Sequence, residues 1–186
     1  LKKGNKKLHI KRVAQIGVFT ALSVSLGYVL FFIPNVELIS SSIFASGWLF
    51  GPYVGITVGG LSFAIFALFN PLGASLPPLF LAQIIGGMLI GVAGGYLRTL
   101  FSNHSFFLQV PFFALTGAIL TLIYDLLTNI GAFIAFTTEK TFYAYVVTGI
   151  LFSVLHIFSN IVIFSILLLP TLRKIVTFTK PRSPER

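Results

Sequence analysis

The chain contains no cysteine, so disulfides and thiolate-held metal or redox centres are excluded. Charge is nearly as scarce. Only 9% of the residues are Asp, Glu, Lys or Arg, where a soluble domain carries about a quarter. A water-facing surface cannot be built from so little, and lipid must cover much of this protein. Acids are rarest, at four against thirteen Lys and Arg. Paired-carboxylate chemistry therefore has little to work with. The phosphate-cradling loop Gly-x-x-x-x-Gly-Lys-Ser/Thr is missing, as are His-Glu-x-x-His and Gly-x-Ser-x-Gly. A nucleophile with its base is not indicated by any spacing, so the chain reads as something other than an enzyme.

What is present is apolar length. Hydrophobic residues make up 56% of the 186-residue chain, with 21 Phe. A bilayer-spanning helix needs about 20 apolar residues. Val13–Ile33 is the first such run. It is too long for a signal peptide's apolar region and reads as a retained span. Pro34, Asn35, Glu37 and the Ser40-Ser41-Ser42 run then predict a polar loop. Ile43–Phe50 is a short second span, stopped by Gly51-Pro52, and Tyr53–Phe69 is the third. Pro77-Pro78 opens the fourth, Leu79–Leu100. Phe106–Phe136 is the fifth. Thr137-Thr138-Glu139-Lys140 predicts a turn, and Phe142–Leu169 is the sixth, stopped by Pro170. Residues 43–69 could instead form one kinked segment, giving five spans.

The charges decide for six. Lys2, Lys3, Lys6, Lys7, Lys11 and Arg12 precede the first span, and Arg173, Lys174, Lys180, Arg182 and Arg186 follow the last. Six spans keep both basic ends and Arg98 in the cytoplasm, and leave Glu37 and the near-neutral Glu139-Lys140 pair outside. That is the positive-inside pattern. The expected architecture is an all-α integral membrane protein with six transmembrane helices and cytoplasmic termini. A basic N-terminus covers 1–12, a single transmembrane domain 13–170 and a basic tail 171–186. The basic ends are read as topogenic and lipid-touching, not as a nucleic-acid site.

Small residues spaced by four let helices approach closely in lipid. Three stripes show that spacing. Gly51, Gly55 and Gly59, and Gly87, Gly91 and Gly95, suit internal packing. Gly17, Ala21 and Ser25 on the first span, extended by Ala14 three residues earlier, could face either the protein core or a partner subunit.

Two further stripes carry polarity into the membrane. Gly117, Thr121, Asp125 and Asn129 share one face of the fifth span, and Thr148, Phe152, His156 and Asn160 one face of the sixth. Asp125 is the only acid within a span, and a carboxylate there costs about 2.5–3.5 kcal/mol on insertion scales. Counting back from the connecting turn puts Asp125 and His156 at similar depth, where they can pair. A structural hydrogen bond, a polar lining of a substrate pocket and a proton relay all remain open. One carboxylate and one His at depth are too few for a metal site.

These features together resemble the substrate-binding membrane subunit, the S component, of an energy-coupling factor (ECF) vitamin transporter. The resemblance rests on the six-span layout and on the small-residue stripe Ala14, Gly17, Ala21, Ser25, which is similar to the family's Ala-x-x-x-Ala motif with Gly and Ser in place of some Ala. It rests also on the glycine-rich run 51–60, on Tyr-Asp-Leu-Leu-Thr-Asn at 124–129, and on His156 to Asn160. The resemblance implies a vitamin or related micronutrient bound from outside in the bacterial plasma membrane. It implies delivery inward with a transmembrane coupling subunit and two cytoplasmic ATPases. ATP would be used by those partners, and this chain would bind no cofactor. The first-span stripe would dock on the coupling subunit. The pocket would draw on Asn35, Glu37, Asn70, Gln83, Tyr124, Asp125, Asn129, Tyr143, Tyr145 and His156, with aromatic rings supplying stacking surface. Cobalamin-, pantothenate-, riboflavin- and queuosine-precursor-type cargoes all fit. The rival readings are an autonomous secondary transporter or channel, for which no internal repeat is visible, and a membrane enzyme or assembly scaffold.

Overall fold

The computed structural model describes residues 2–136 and 141–179, with side chains from Leu8 to Phe136 and from Thr141 to Phe178. The described residues are helical, without strands. The helices are α1 (Lys2–Val29), α2 (Ile39–Phe50), α3 (Pro52–Leu68), α4 (Pro77–Phe101), α5 (Phe106–Ala135) and α6 (Phe142–Val162). A π-helical turn (Ile163–Leu168) carries α6 on into α7 (Leu169–Thr179). Four stretches are long and apolar enough to cross a membrane: Leu8–Val29, Pro77–Phe101, Phe106–Ala135 and Phe142–Phe178. The apolar α2 and α3 are shorter. The expected turn at Thr137-Thr138-Glu139-Lys140, and Lys180, Arg182, Glu185 and Arg186, lie outside the described residues.

Residues 43–69 form two helices that fold back on each other. Gly51, at φ 97°, breaks the chain between them, and Gly47 of α2 lies against Gly55 of α3. Positive φ is the conformation glycine adopts without a Cβ clash. Gly51 is therefore a hinge and not a member of the packing stripe expected for it. The other two members pack as expected: Gly55 meets the backbone of Gly91, and Gly59 that of Gly87. A Cβ at any of these positions would collide with main-chain atoms.

The passes alternate between two ends of the bundle. At one end, the α1–α2 loop lies against α6, and the Tyr28 hydroxyl donates to the Phe69 carbonyl at 3.0 Å. At the other, Arg98 donates to the Trp48 and Leu49 carbonyls, both at 3.0 Å. The short α2 is the centre of the fold, with every residue from Ile39 to Trp48 buried. Its Phe44 stacks among Trp48, Phe113 and Phe164, with ring centroids 5.3–5.9 Å away.

Three further expectations need correction. Ser40-Ser41-Ser42 is not loop: these serines open α2 and are buried, with Ser42 accepting from the Ser23 hydroxyl at 2.9 Å. Hydroxyls satisfied in this way can sit inside a helix bundle, so their polarity did not mark a loop. The first helix ends at Val29, before Ile33, and it starts within the basic segment. Pro170 does not stop the last helix, which runs to Thr179. The π turn ahead of it makes an i→i−5 bond, Leu169 N–H to the Phe164 carbonyl. Its wider turn absorbs the ring clash and lost donor that a proline imposes on an α-helix.

The stripe Ala14, Gly17, Ala21, Ser25 points outward, with all four residues exposed. Nothing lies within 4 Å of a Cβ built on Gly17. The opposite face of α1 supplies Thr20, Ser23 and Gly27 to the interior.

Candidate functional site

Buried polarity gathers where the α1–α2 loop meets α4, α5 and α6. The stripe on α5 places Gly117, Thr121 and Asp125 inward. Gly117 lies against the Asn160 backbone, which draws α6 close enough for side chains one and two turns further on to meet. His156 Nδ1 and Asp125 Oδ1 are 2.7 Å apart, both residues under a tenth exposed. The other His156 nitrogen, Nε2, faces Glu37 Oε1 at 3.6 Å, within ion-pair reach but beyond a hydrogen bond. His156 thus stands between two carboxylates on opposite sides of its ring. The three groups do not converge on one point, and among the described residues no cluster could hold a metal ion.

Glu37 reaches the site because its loop is clamped. Asn35 adopts a left-handed φ of 58°, a region asparagine tolerates better than most residues. Its side-chain amide donates to the Phe152 carbonyl at 3.0 Å, and its own carbonyl accepts from the Ser159 hydroxyl at 2.8 Å. Glu37 Oε2 accepts the Ser40 N–H at 2.9 Å, so the carboxylate also sits at the positive end of α2. Burial pushes the Glu37 carboxyl up, but the attraction of His156 and the hydrogen bonding to Ser40 outweigh it, leaving the group below its ordinary value.

An aromatic wall adjoins these acids. Tyr124 lies 5.0 Å from Phe63 and edge-on to His156 at 6.1 Å. Gly86 makes room for the Tyr124 ring, since a Cβ there would stand 2.5 Å from it. Gln83, one turn earlier on α4, interacts with the Tyr124 side chain.

Five buried atoms of this region have no hydrogen-bond partner among the described residues: Glu37 Oε1, Gln83 Oε1, Asp125 Oδ2, His156 Nε2 and Asn160 Oδ1. Each unsatisfied buried polar atom costs about 1–3 kcal/mol. Glu37 Oε1 and His156 Nε2 face each other at ion-pair distance, which leaves three atoms with no polar partner, and unmet atoms beside an aromatic wall suit a ligand with several polar groups and a flat ring system.

The remaining expected site residues are placed differently. Asn129 is half-buried and donates to the Asp125 carbonyl at 2.7 Å. Asn70 accepts the Leu72 N–H at 2.9 Å, fixing the α3–α4 turn without entering the cluster. Tyr145 packs on Phe133 at 5.7 Å. Tyr143 is 79% exposed and faces away, and Thr148 and Phe152 are exposed although they share a stripe with His156. Asn160, fully buried, was legible as the last member of that stripe but was not among the expected pocket residues. Phe63 carried no signal in the sequence beyond being apolar.

A family model described as the ECF-type riboflavin transporter, S component, matches residues 7–178. No curated protein and no solved structure matches the chain.

Proposed function

The chain belongs to the family of ECF-type riboflavin transporter S components, and from that premise we propose that the Glu37–His156–Asp125 cluster binds a riboflavin-type flavin. It is a multi-pass membrane protein and the substrate-binding subunit of a vitamin transporter. The observation that carries the ligand reading is the set of unmet buried polar atoms beside Tyr124 and Phe63. A flavin's tricyclic ring offers a flat face to the aromatic wall. Its ring carbonyls, imide N–H and chain hydroxyls offer partners for the acids, the imidazole and the amides.

In this reading all six passes cross the bilayer. The end carrying Arg98 and both basic termini is cytoplasmic, and the cluster lies toward the outside. The loop holding Asn35 and Glu37 covers the cluster from that side. The outward stripe Ala14, Gly17, Ala21, Ser25 docks on a transmembrane coupling subunit, which joins two ATPases that supply the energy. A close-packing face turned outward on a helix whose opposite face packs in the interior supports this assignment.

The test is a fluorescence titration of the detergent-purified chain with riboflavin, with cobalamin and pantothenate as controls. Quenching that saturates at one flavin per chain is expected. Absence of quenching, or equal binding of the controls, refutes the flavin assignment.

A further inference from the structure

A separate cavity of about 400 Å³ lies at the basic end of the bundle, lined by Trp48, Arg98, Asn103, Gln109, Phe113 and Arg173, among others. It is remote from the flavin cluster. Gln109 and Asp125 sit on the same helix, roughly 24 Å apart at 1.5 Å per residue.

We propose that this cavity binds a phosphate group, with Arg98 and Arg173 as its two cationic jaws. Both arginines are anchored by their neighbours. Arg98 uses Nη1 on the last carbonyls of α2. Arg173 donates from Nη1 to Gln109 Oε1 at 2.8 Å and lies over the Phe106 ring at 5.6 Å. Gln109, only 2% exposed, is itself tied to the Phe101 carbonyl at 2.7 Å, so the strut under Arg173 is rigid. A guanidinium has five N–H donors in a fixed fork. The described hydrogen bonds occupy one nitrogen of each, leaving donors to point elsewhere.

The charge balance is one-sided. No lining residue is acidic, and the described acids, Glu37 and Asp125, lie in the other cluster. The last carbonyls of α2 and α4 also face this end, but they are taken up by Arg98 Nη1 and the Gln109 amide, and the first turn of α5 sets the positive end of a helix dipole against them. Asn103 brings a further side-chain amide to the lining. Two guanidinium groups beside one cavity repel each other unless an anion lies between them, and planar forks match phosphate oxygens in pairs. With this end facing the cytoplasm, the source closest to hand is the headgroup of an anionic phospholipid. A soluble phosphate compound shares the same chemistry. The inference stands whether or not the outer cluster binds flavin.

The experiment uses the full chain in detergent. Native mass spectrometry compares retention of phosphatidylglycerol with that of phosphatidylcholine, and thermal unfolding is followed with and without inorganic phosphate. The variants are Arg173→Gln, Asn103→Asp, which sets a carboxylate in the cavity lining without removing any described bond, and the exposed control Lys174→Gln. Wild type is expected to retain phosphatidylglycerol preferentially. Arg173→Gln should weaken that retention about tenfold, as for one charge-assisted hydrogen bond. Asn103→Asp should weaken it too, and Lys174→Gln should not. Stabilisation by inorganic phosphate that Arg173→Gln abolishes assigns the site to soluble phosphate groups. A response to phosphatidylglycerol alone assigns it to lipid. Wild-type retention in both Arg173→Gln and Asn103→Asp, or an equal loss in Lys174→Gln, overturns the proposal.

Discussion

Replacing Gly91 with alanine should unfold the bundle at a much lower temperature, while the same change at Gly17 should leave it intact or slightly firmer. Both glycines lie inside apolar helices and within stripes of small residues. Their surroundings differ. A Cβ on Gly91 would fall against the carbonyl oxygen and carbon of Gly55, and 3.1 Å from its Cα. All three are main-chain atoms that no rotamer change can move. Restoring ordinary carbon contacts requires α3 and α4 to separate by on the order of 1 Å. That separation would loosen the other glycine contact along the same seam, Gly59 on Gly87. Overpacking of this kind costs about 1–3 kcal/mol and occasionally more. In lipid no hydrophobic drive draws the helices back together. At Gly17 nothing lies within 4 Å, and alanine is the better helix former by about 1 kcal/mol. For a chain of this size about 3 kcal/mol corresponds to roughly 6–12 °C in Tm, and about 1 kcal/mol to roughly 2–4 °C. Thermal unfolding in one detergent, followed by intrinsic Trp48 fluorescence, measures both. Equal shifts for the two variants would refute the claim that one stripe is internal and the other free.

Three further outcomes follow from the same geometry. Ala21→Trp on the outward face should leave Tm within about 2 °C and flavin affinity unchanged, yet abolish co-purification with the coupling subunit; normal co-purification would remove α1 from docking. Asp125→Ala should weaken flavin binding at least tenfold, and it should also lower stability by about 1–3 kcal/mol because His156 Nδ1 loses its buried hydrogen-bond partner while Glu37 still faces Nε2; unchanged affinity in a titration would leave Asp125 with a structural role alone. Glu37 has a folded pKa below its ordinary value of 4.5, so the unfolded chain takes up its proton first and the stability it contributes is present above about pH 4.5 and lost as pH falls through the folded value. Tm should therefore drop on acidification, with a shallower slope in Glu37→Gln, and identical slopes would contradict the contact with His156 and Ser40.

The division of labour within the chain follows from where polarity can be afforded. Helices in lipid gain little from burying apolar side chains, so they associate by close backbone approach and by hydrogen bonds. The α3–α4 seam uses the first device, through Gly55, Gly59, Gly87 and Gly91. The α5–α6 seam combines both, with Gly117 on Asn160 and Asp125 on His156. The candidate flavin site is thus built on the most polar seam. The outward face of α1 carries the close-approach device with nothing yet against it.

The sequence by itself determined the class of the protein: long apolar runs, scarce charge and basic ends leave only a multi-pass membrane chain. It also put Asp125 and His156 at similar depth, where they could pair, because helical periodicity and the length of the connecting turn are local properties; their contact came from the close approach of Gly117 to Asn160. Tertiary structure decided what each face meets. A spacing of three or four puts Ala14, Gly17, Ala21 and Ser25 on one side of a helix just as it does Gly87, Gly91 and Gly95, and only the packing shows one set turned outward and the other pressed on a neighbour. Tertiary structure also made the short, serine-rich α2 the centre of the bundle. It brought Glu37 from a loop to the far side of His156, and it carried the last helix past Pro170 through a π turn. These outcomes depend on contacts between residues far apart in the chain, and local spacing does not record them.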